Sequence, residues 1–88
     1  MPYSLESSKT AEKKLFKLGR KNKAFLEAVN SKINQILDNP FHFKPLRAPM
    51  QNKRRAHVGS FVLVYAIEEA RETVVLLDCE HHDNVYKT

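Results

Sequence analysis

Lys53-Arg54-Arg55-Ala56-His57-Val58-Gly59-Ser60-Phe61-Val62-Leu63-Val64-Tyr65-Ala66-Ile67 decides the fold. Lys53, Arg55 and His57 alternate with Arg54 and Ala56, a glycine follows Val58, and a run rich in β-branched and aromatic side chains begins at once. That order predicts a hairpin, with Gly59 taking the positive φ of a tight turn. In the second strand Phe61, Leu63, Tyr65 and Ile67 alternate with Val62, Val64 and Ala66. Both sets are apolar, so this strand is expected in the middle of a sheet. Glu68-Glu69-Ala70-Arg71-Glu72 reads as a polar turn. Thr73–Cys79 is again apolar on both sides, and residues 84–87 are expected to add a short tail strand.

Working back from the hairpin, residues 40–52 hold Pro40, Pro45 and Pro49 without a clean period. They read as an extended loop pinned by Phe41, Phe43, Leu46 and Met50. Before it, Phe25, Leu26, Val29, Ile33, Ile36 and Leu37 recur at three- and four-residue steps, the stripe of an amphipathic helix. Asn22 can cap that helix, and Asn39-Pro40 stops it, because proline lacks an amide hydrogen and disfavours helix in the residue before it. A first helix is expected from Lys9 to Leu18, capped by Ser7 or Ser8, with Ala11, Leu15 and Leu18 on one face. Gly19 is expected to end it in the left-handed conformation. Tyr3–Ser7 alternates as a short first strand. Tyr65, Phe16, Phe25 and Phe61 are assigned to the core. The order is therefore β-α-α-β-β-β, an α+β fold. An N-terminal strand and a helical hairpin pack on one face of a largely antiparallel sheet, and the cations line the other face or its rim.

The 88 residues make one domain, 1–88, able to bury one modest core. No apolar run approaches the roughly 20 residues of a membrane helix. Cys79 is the only cysteine, and the N-terminus lacks the pattern of a secretory signal, which points to a reducing cytoplasm. At the end of an apolar strand Cys79 reads as a small buried hydrophobe. His42, His57, His81 and His82 match no common zinc spacing, so no metal and no cofactor are expected.

The net charge of +5 is unevenly spread. Residues 39–67 carry five Lys/Arg and no acid, whereas residues 68–88 carry two Lys/Arg and six Asp/Glu. The acid-free stretch makes a positive field suited to a polyanion or an acidic partner. Lys53, Arg55 and His57 fall on one face of their strand. Lys44 and Arg47, with Arg54, extend the track toward the preceding loop. Lys9, Lys13, Lys14 and Lys17, with Arg20, Lys21 and Lys23, read as a solvated helix face. His81, His82 and Tyr86 follow the last strand. Cations, imidazoles and a phenol on one small sheet suit a phosphodiester, and imidazole suits proton transfer near neutral pH.

Several segments together resemble the RelE/ParE toxin superfamily of type II toxin–antitoxin pairs. They are the opening helix Ser7-Ser8-Lys9-Thr10-Ala11-Glu12-Lys13-Lys14-Leu15, the loop Pro45-Leu46-Arg47, the hairpin Arg54–Tyr65, and the terminal His81-His82-Asp83-Asn84-Val85-Tyr86-Lys87. The resemblance implies a toxin that cuts mRNA in the ribosome without metal, the ribose 2′-hydroxyl attacking its own phosphate. For that reaction His82 and His57, as groups that transfer protons near neutral pH, and Arg55 and Tyr86 are the catalytic candidates. Lys44, Arg47, Lys53, Arg54 and His81 are the RNA-binding ones. A small acidic RelB-like antitoxin is the implied partner. The superfamily also contains ParE-type members that inhibit DNA gyrase, and a homologue retaining only antitoxin binding is a further alternative. The chain departs from the family pattern where Val62, His57 and His82 replace arginines. Glu80 stands where some RelE-type members place a catalytic arginine.

Overall fold

Each expected boundary rests on one or two side chains. The computed structural model describes residues 2–45 and 53–85; Leu46, Arg47, Met50 and Tyr86 lie outside the described residues. Ser4–Ser7 forms β1 and Lys9–Lys21 forms α1. Between them Ser8 is extended. Its Oγ accepts the Ala11 N–H at 3.0 Å and donates to the Leu77 carbonyl at 2.7 Å. One hydroxyl thus caps α1 and ties it to the sheet.

The first helix corrects the expected end at Leu18. It continues through Gly19 to Lys21, and the glycine is not left-handed. A Cβ at Gly19 would stand 3.2 Å from a methyl of Leu26, so the missing side chain serves helix–helix approach instead. Asn22 is the hinge. Its N–H closes α1 on the Leu18 carbonyl at 3.2 Å, and its Oδ1 caps α2 (Lys23–Asp38) by accepting the Phe25 N–H at 3.0 Å. The helix stops at Asn39-Pro40 as the proline predicts.

The remaining strands are β2 (Lys53–Val58), β3 (Phe61–Glu68) and β4 (Thr73–His81), in sheet order β1-β4-β3-β2. Among the described residues only the β1–β4 pair is parallel. Gly59 turns the β2–β3 hairpin with φ +59°. A short 3-10 turn, Glu69–Arg71, and a left-handed Glu72 lead into β4. Where the tail strand is expected to begin, His82–Val85 forms a helical turn, α3, whose first N–H bonds the Ser60 carbonyl at 2.8 Å; residues 86–87 lie outside the described residues.

The β3–β4 register breaks once. Val64 faces Asp78, but Tyr65 faces Leu76, so Leu77 is an extra residue in β4. A bulge of this kind shifts the alternation of every later side chain. Val74 and Leu76 point to the helices, and so does Cys79; Leu77 instead packs with Val62 and Val64 on the opposite face. Beyond the bulge, Asp78 and Glu80 are carried to the open face and His81 to the helix face.

The core lies between the helical hairpin and the sheet. It contains Ala11, Val29, Ile36, Ala56, Leu63, Tyr65, Val74 and Leu76, each about 1 % exposed or less. Phe25 and Phe61 meet edge to face at its margin, with centroids 5.1 Å apart. Phe16 does not belong to the core: it is 68 % exposed, with the Arg20 guanidinium 5.7 Å above its ring. At position 16 the ring falls one residue past the Ala11–Leu15–Leu18 stripe and faces away from the sheet. Cys79 is buried, and burial, assisted by Asp78, pushes its thiol up to about 11, so it is a packing residue at neutral pH.

The segment after α2 is held from below. The buried Tyr65 hydroxyl donates to the Pro40 carbonyl at 2.7 Å, and Arg54 donates to the Phe43 carbonyl at 2.7 Å while covering the Phe41 ring. The Arg55 N–H then bonds the Lys44 carbonyl at 3.2 Å, closing part of the outer edge of β2.

Tyr65→Phe would leave a buried carbonyl without its donor and is expected to lower stability by about 1–3 kcal/mol in urea denaturation at pH 7. Burial also pushes the Tyr65 phenol up to about 12 from the usual 10. The unfolded chain therefore loses that proton first. The corresponding stability is intact below pH 10 and is lost as pH rises toward 12, so Tyr65→Phe should show a shallower alkaline decline.

Candidate functional site

The site grows from the alternation of β2. Ala56 and Val58 sink under the helices, so Lys53, Arg55 and His57 project to the open face. Their partners in β3, Ala66, Val64 and Val62, form a flat apolar floor. Because of the bulge, Glu80 stands across from Val62 on this same face. The next residue to return to it is His82, at the start of α3.

His57 and His82 consequently meet. Their ring centroids lie 5.6 Å apart, with the planes tilted by 37°. Partial desolvation, then the neighbouring His82, Arg55 and Lys32, holds the His57 imidazole below its ordinary range. His57 is therefore mainly neutral at pH 7 and can accept a proton. Arg55 anchors itself by one Nη1–H bond to the Pro45 carbonyl at 3.0 Å. The arrangement combines a neutral imidazole, a second imidazole in contact with it and a guanidinium on the adjacent position of the same strand face. Imidazoles are groups that can exchange protons, and a guanidinium can hold negative charge.

The other sequence candidates are distributed around this centre. Lys53 lies on the same strand face as Arg55. Lys44 is exposed and joined to Arg55 through the backbone. Arg54 points the other way, its guanidinium engaged with the loop carbonyls and Phe41. His81 also faces the helix side. Its ring abuts Phe61 at 5.5 Å, and its Nδ1 accepts the Asp83 N–H at 3.3 Å, the geometry of a cap. Arg47 and Tyr86 lie outside the described residues.

Two lysines were read too simply from the sequence. Lys14 is not just part of a solvated face: it reaches past the end of β1 to pair with Asp78 at 2.9 Å and with Glu80. This gives Glu80 a cation that it shares with Asp78. Lys32 was overlooked. It lies half-buried on the stripe of α2 between Val29 and Ile36, close enough to His57 to oppose its protonation. A lysine interrupting an apolar stripe was the available signal.

With this geometry in view, similarity to known proteins is specific. Residues 5–86 match the family of the ParE toxin of type II toxin-antitoxin system, parDE, and the chain belongs to that family, within the RelE/ParE superfamily of toxins. It is 41 % identical to a protein named RelE4 from Methanocaldococcus jannaschii, over 97 % of this chain and 92 % of that one. It is 30 % identical to Toxin RelG of Mycobacterium tuberculosis, over 99 % of both chains. In structure it resembles a chain of the toxin-antitoxin complex RelBE2 of Mycobacterium tuberculosis, with TM-score 0.79 and 30 % identity, covering 92 % of this chain and 99 % of that one. The protein is a toxin of a type II toxin–antitoxin system. Among the described residues no helix is long and apolar enough to cross a membrane.

The imidazole contact predicts a titration. In proton–carbon NMR the His57 ring should titrate below 6.5, and His82→Ala should raise its midpoint, because one opposing charge is removed. A midpoint at or above 6.5, unmoved by the substitution, contradicts this placement.

Proposed function

We propose that this toxin is a RelE-type mRNA endonuclease acting on ribosome-bound message. The observation that carries the reading is the His57–His82 contact on the strand face of Arg55. Internal transesterification needs a base, a charge stabiliser and an acid, a route that calls for no metal. In the proposed step His57 takes the proton of the ribose 2′-hydroxyl. The 2′-oxygen attacks the adjacent phosphorus while Arg55 stabilises the charged phosphorane. The bond to the 5′-oxygen breaks, and that oxygen takes a proton from His82. The products are a 2′,3′-cyclic phosphate and a 5′-hydroxyl. Lys44, Lys53 and Arg47 would guide the strand, and Tyr86 is the remaining catalytic candidate. Lys14 offsets Glu80, which limits the repulsion a carboxylate would exert on the phosphate.

The proposed partner that silences this surface is a small acidic RelB-like antitoxin. The support is the acid-free stretch 39–67 together with likeness to a toxin solved in a toxin–antitoxin complex. A cytoplasmic site of action follows from the same reading. One observation favours a second reading, inhibition of DNA gyrase: the matched family is that of ParE toxin.

The test is cleavage of message on purified ribosomes alongside gyrase supercoiling. His57→Ala and His82→Ala are each expected to slow cleavage by about 10²–10⁴-fold. Unchanged cleavage in the double variant refutes the mechanism. Intact message with stoichiometric loss of supercoiling moves the function to gyrase.

A further inference from the structure

A cleft of about 440 Å³ opens at the outer edge of β2, where that strand meets α2 and the segment 42–44. It is lined by Lys32, His42, Phe43, Lys44, Arg55 and His57. Its permanent charges come from three separate elements: Lys32 from α2, Lys44 from the loop and Arg55 from β2. No carboxylate is among the described lining residues. Gathering like charges opposes folding, and an arriving anion offsets that opposition.

The cleft is braced rather than accidental. The Lys32 Nζ lies 5.4 Å from the centroid of the Phe43 ring, and the His42 ring meets the same phenyl edge to face at 5.1 Å. One aromatic residue therefore positions a cation and an imidazole. Phe43 is itself fixed, because its carbonyl accepts from Arg54 at 2.7 Å. A leucine at position 32 would complete the apolar stripe of α2, yet the chain places an amine there, half-buried and directed to the ring. Donors approaching from three elements suit a tetrahedral phosphate better than a planar carboxylate, which a single guanidinium fork would satisfy. The cleft also shares Arg55 and His57 with the proposed reaction centre, so a strand bound at one continues into the other.

We infer that this cleft binds a backbone phosphate of single-stranded RNA, the one flanking the linkage that is cut, with Lys32 and Lys44 as its principal cations and His42 beside the attached nucleotide. The inference rests on the proposed RNA substrate. Lys32 and His42 are binding residues here; neither contributes to proton transfer.

The experiment uses the full chain and a 2′-O-methyl hexaribonucleotide, which cannot be cleaved, with fluorescence anisotropy at several salt concentrations. Lys32→Gln and Lys44→Gln should each weaken binding and reduce the slope of log affinity against log salt by about 0.7, the value of one lost single-strand phosphate contact. Lys44 is exposed, so its variant keeps the test valid even if Lys32→Gln unfolds. His82→Ala should bind the oligonucleotide like the parent protein while cleaving message poorly. Unchanged affinity and slope in both lysine variants overturn the inference, with cleavage by the parent protein still supporting the reaction centre. Weakened binding in the lysine variants with undiminished cleavage by His82→Ala does the reverse: it retains the cleft and removes the mechanism. Absence of oligonucleotide binding by the parent protein, or equal binding of poly-glutamate at the cleft, also overturns the inference.

Discussion

One extra residue in β4 orders this surface. Leu77 has no partner of its own in the ladder between Val64 and Tyr65, and its insertion reverses the alternation of all that follows. Before the bulge, the even positions 74 and 76 face the helices. After it, Cys79 and His81 do, and Asp78, Glu80 and then His82 emerge on the open side. Without the shift, Glu80 and His82 would lie against the helices, and His81 would take the open-face position instead. The bulge also lies where the Leu77 carbonyl accepts from Ser8, so the start of α1 is tied to the same point. From that helix Lys14 reaches Asp78 and Glu80 past the end of β1. A single irregularity thus sets which of two adjacent histidines meets His57, the placement of Glu80 and its ion pair.

The hairpin and the two helices were legible because their signals are local. Gly59 between a cationic and an apolar run, Asn22 before Phe25, and Asn39-Pro40 after Leu37 each act on a neighbouring backbone group. The face of Lys53, Arg55 and His57 was equally legible from alternation. The bulge was not, because Thr73–Cys79 is apolar on both sides and offers no pattern for a register shift to break. For that reason the sequence placed neither Glu80 nor His82 relative to the helices. Gly19 misled for a related reason. A glycine near a helix end serves equally for a left-handed cap and for close approach, and only the packing of Leu26 distinguishes them. Phe16 misled because aromatic character outweighed its place off the stripe.

The loop after α2 shows how cationic residues divide their labour. Arg54 and Arg55 are neighbours, but strand alternation sends them to opposite faces. Arg54 holds the carbonyls of the segment that ends in Lys44 and covers Phe41. Arg55 holds the Pro45 carbonyl while contributing its charge to the open face and the adjoining cleft. Structure and surface chemistry are therefore coupled through one dipeptide: the residue that fixes the loop also fixes where Lys44 and Phe43 stand beside its neighbour.

The central claim is that His57, His82 and Arg55 act together on one phosphodiester. Its most direct test is the chemistry of the message ends produced on ribosomes. Ends carrying a 2′,3′-cyclic phosphate on one fragment and a 5′-hydroxyl on the other are predicted, since the internal 2′-oxygen is the nucleophile. Fragments with 5′-phosphate ends, or messages left whole under growth arrest, would contradict it.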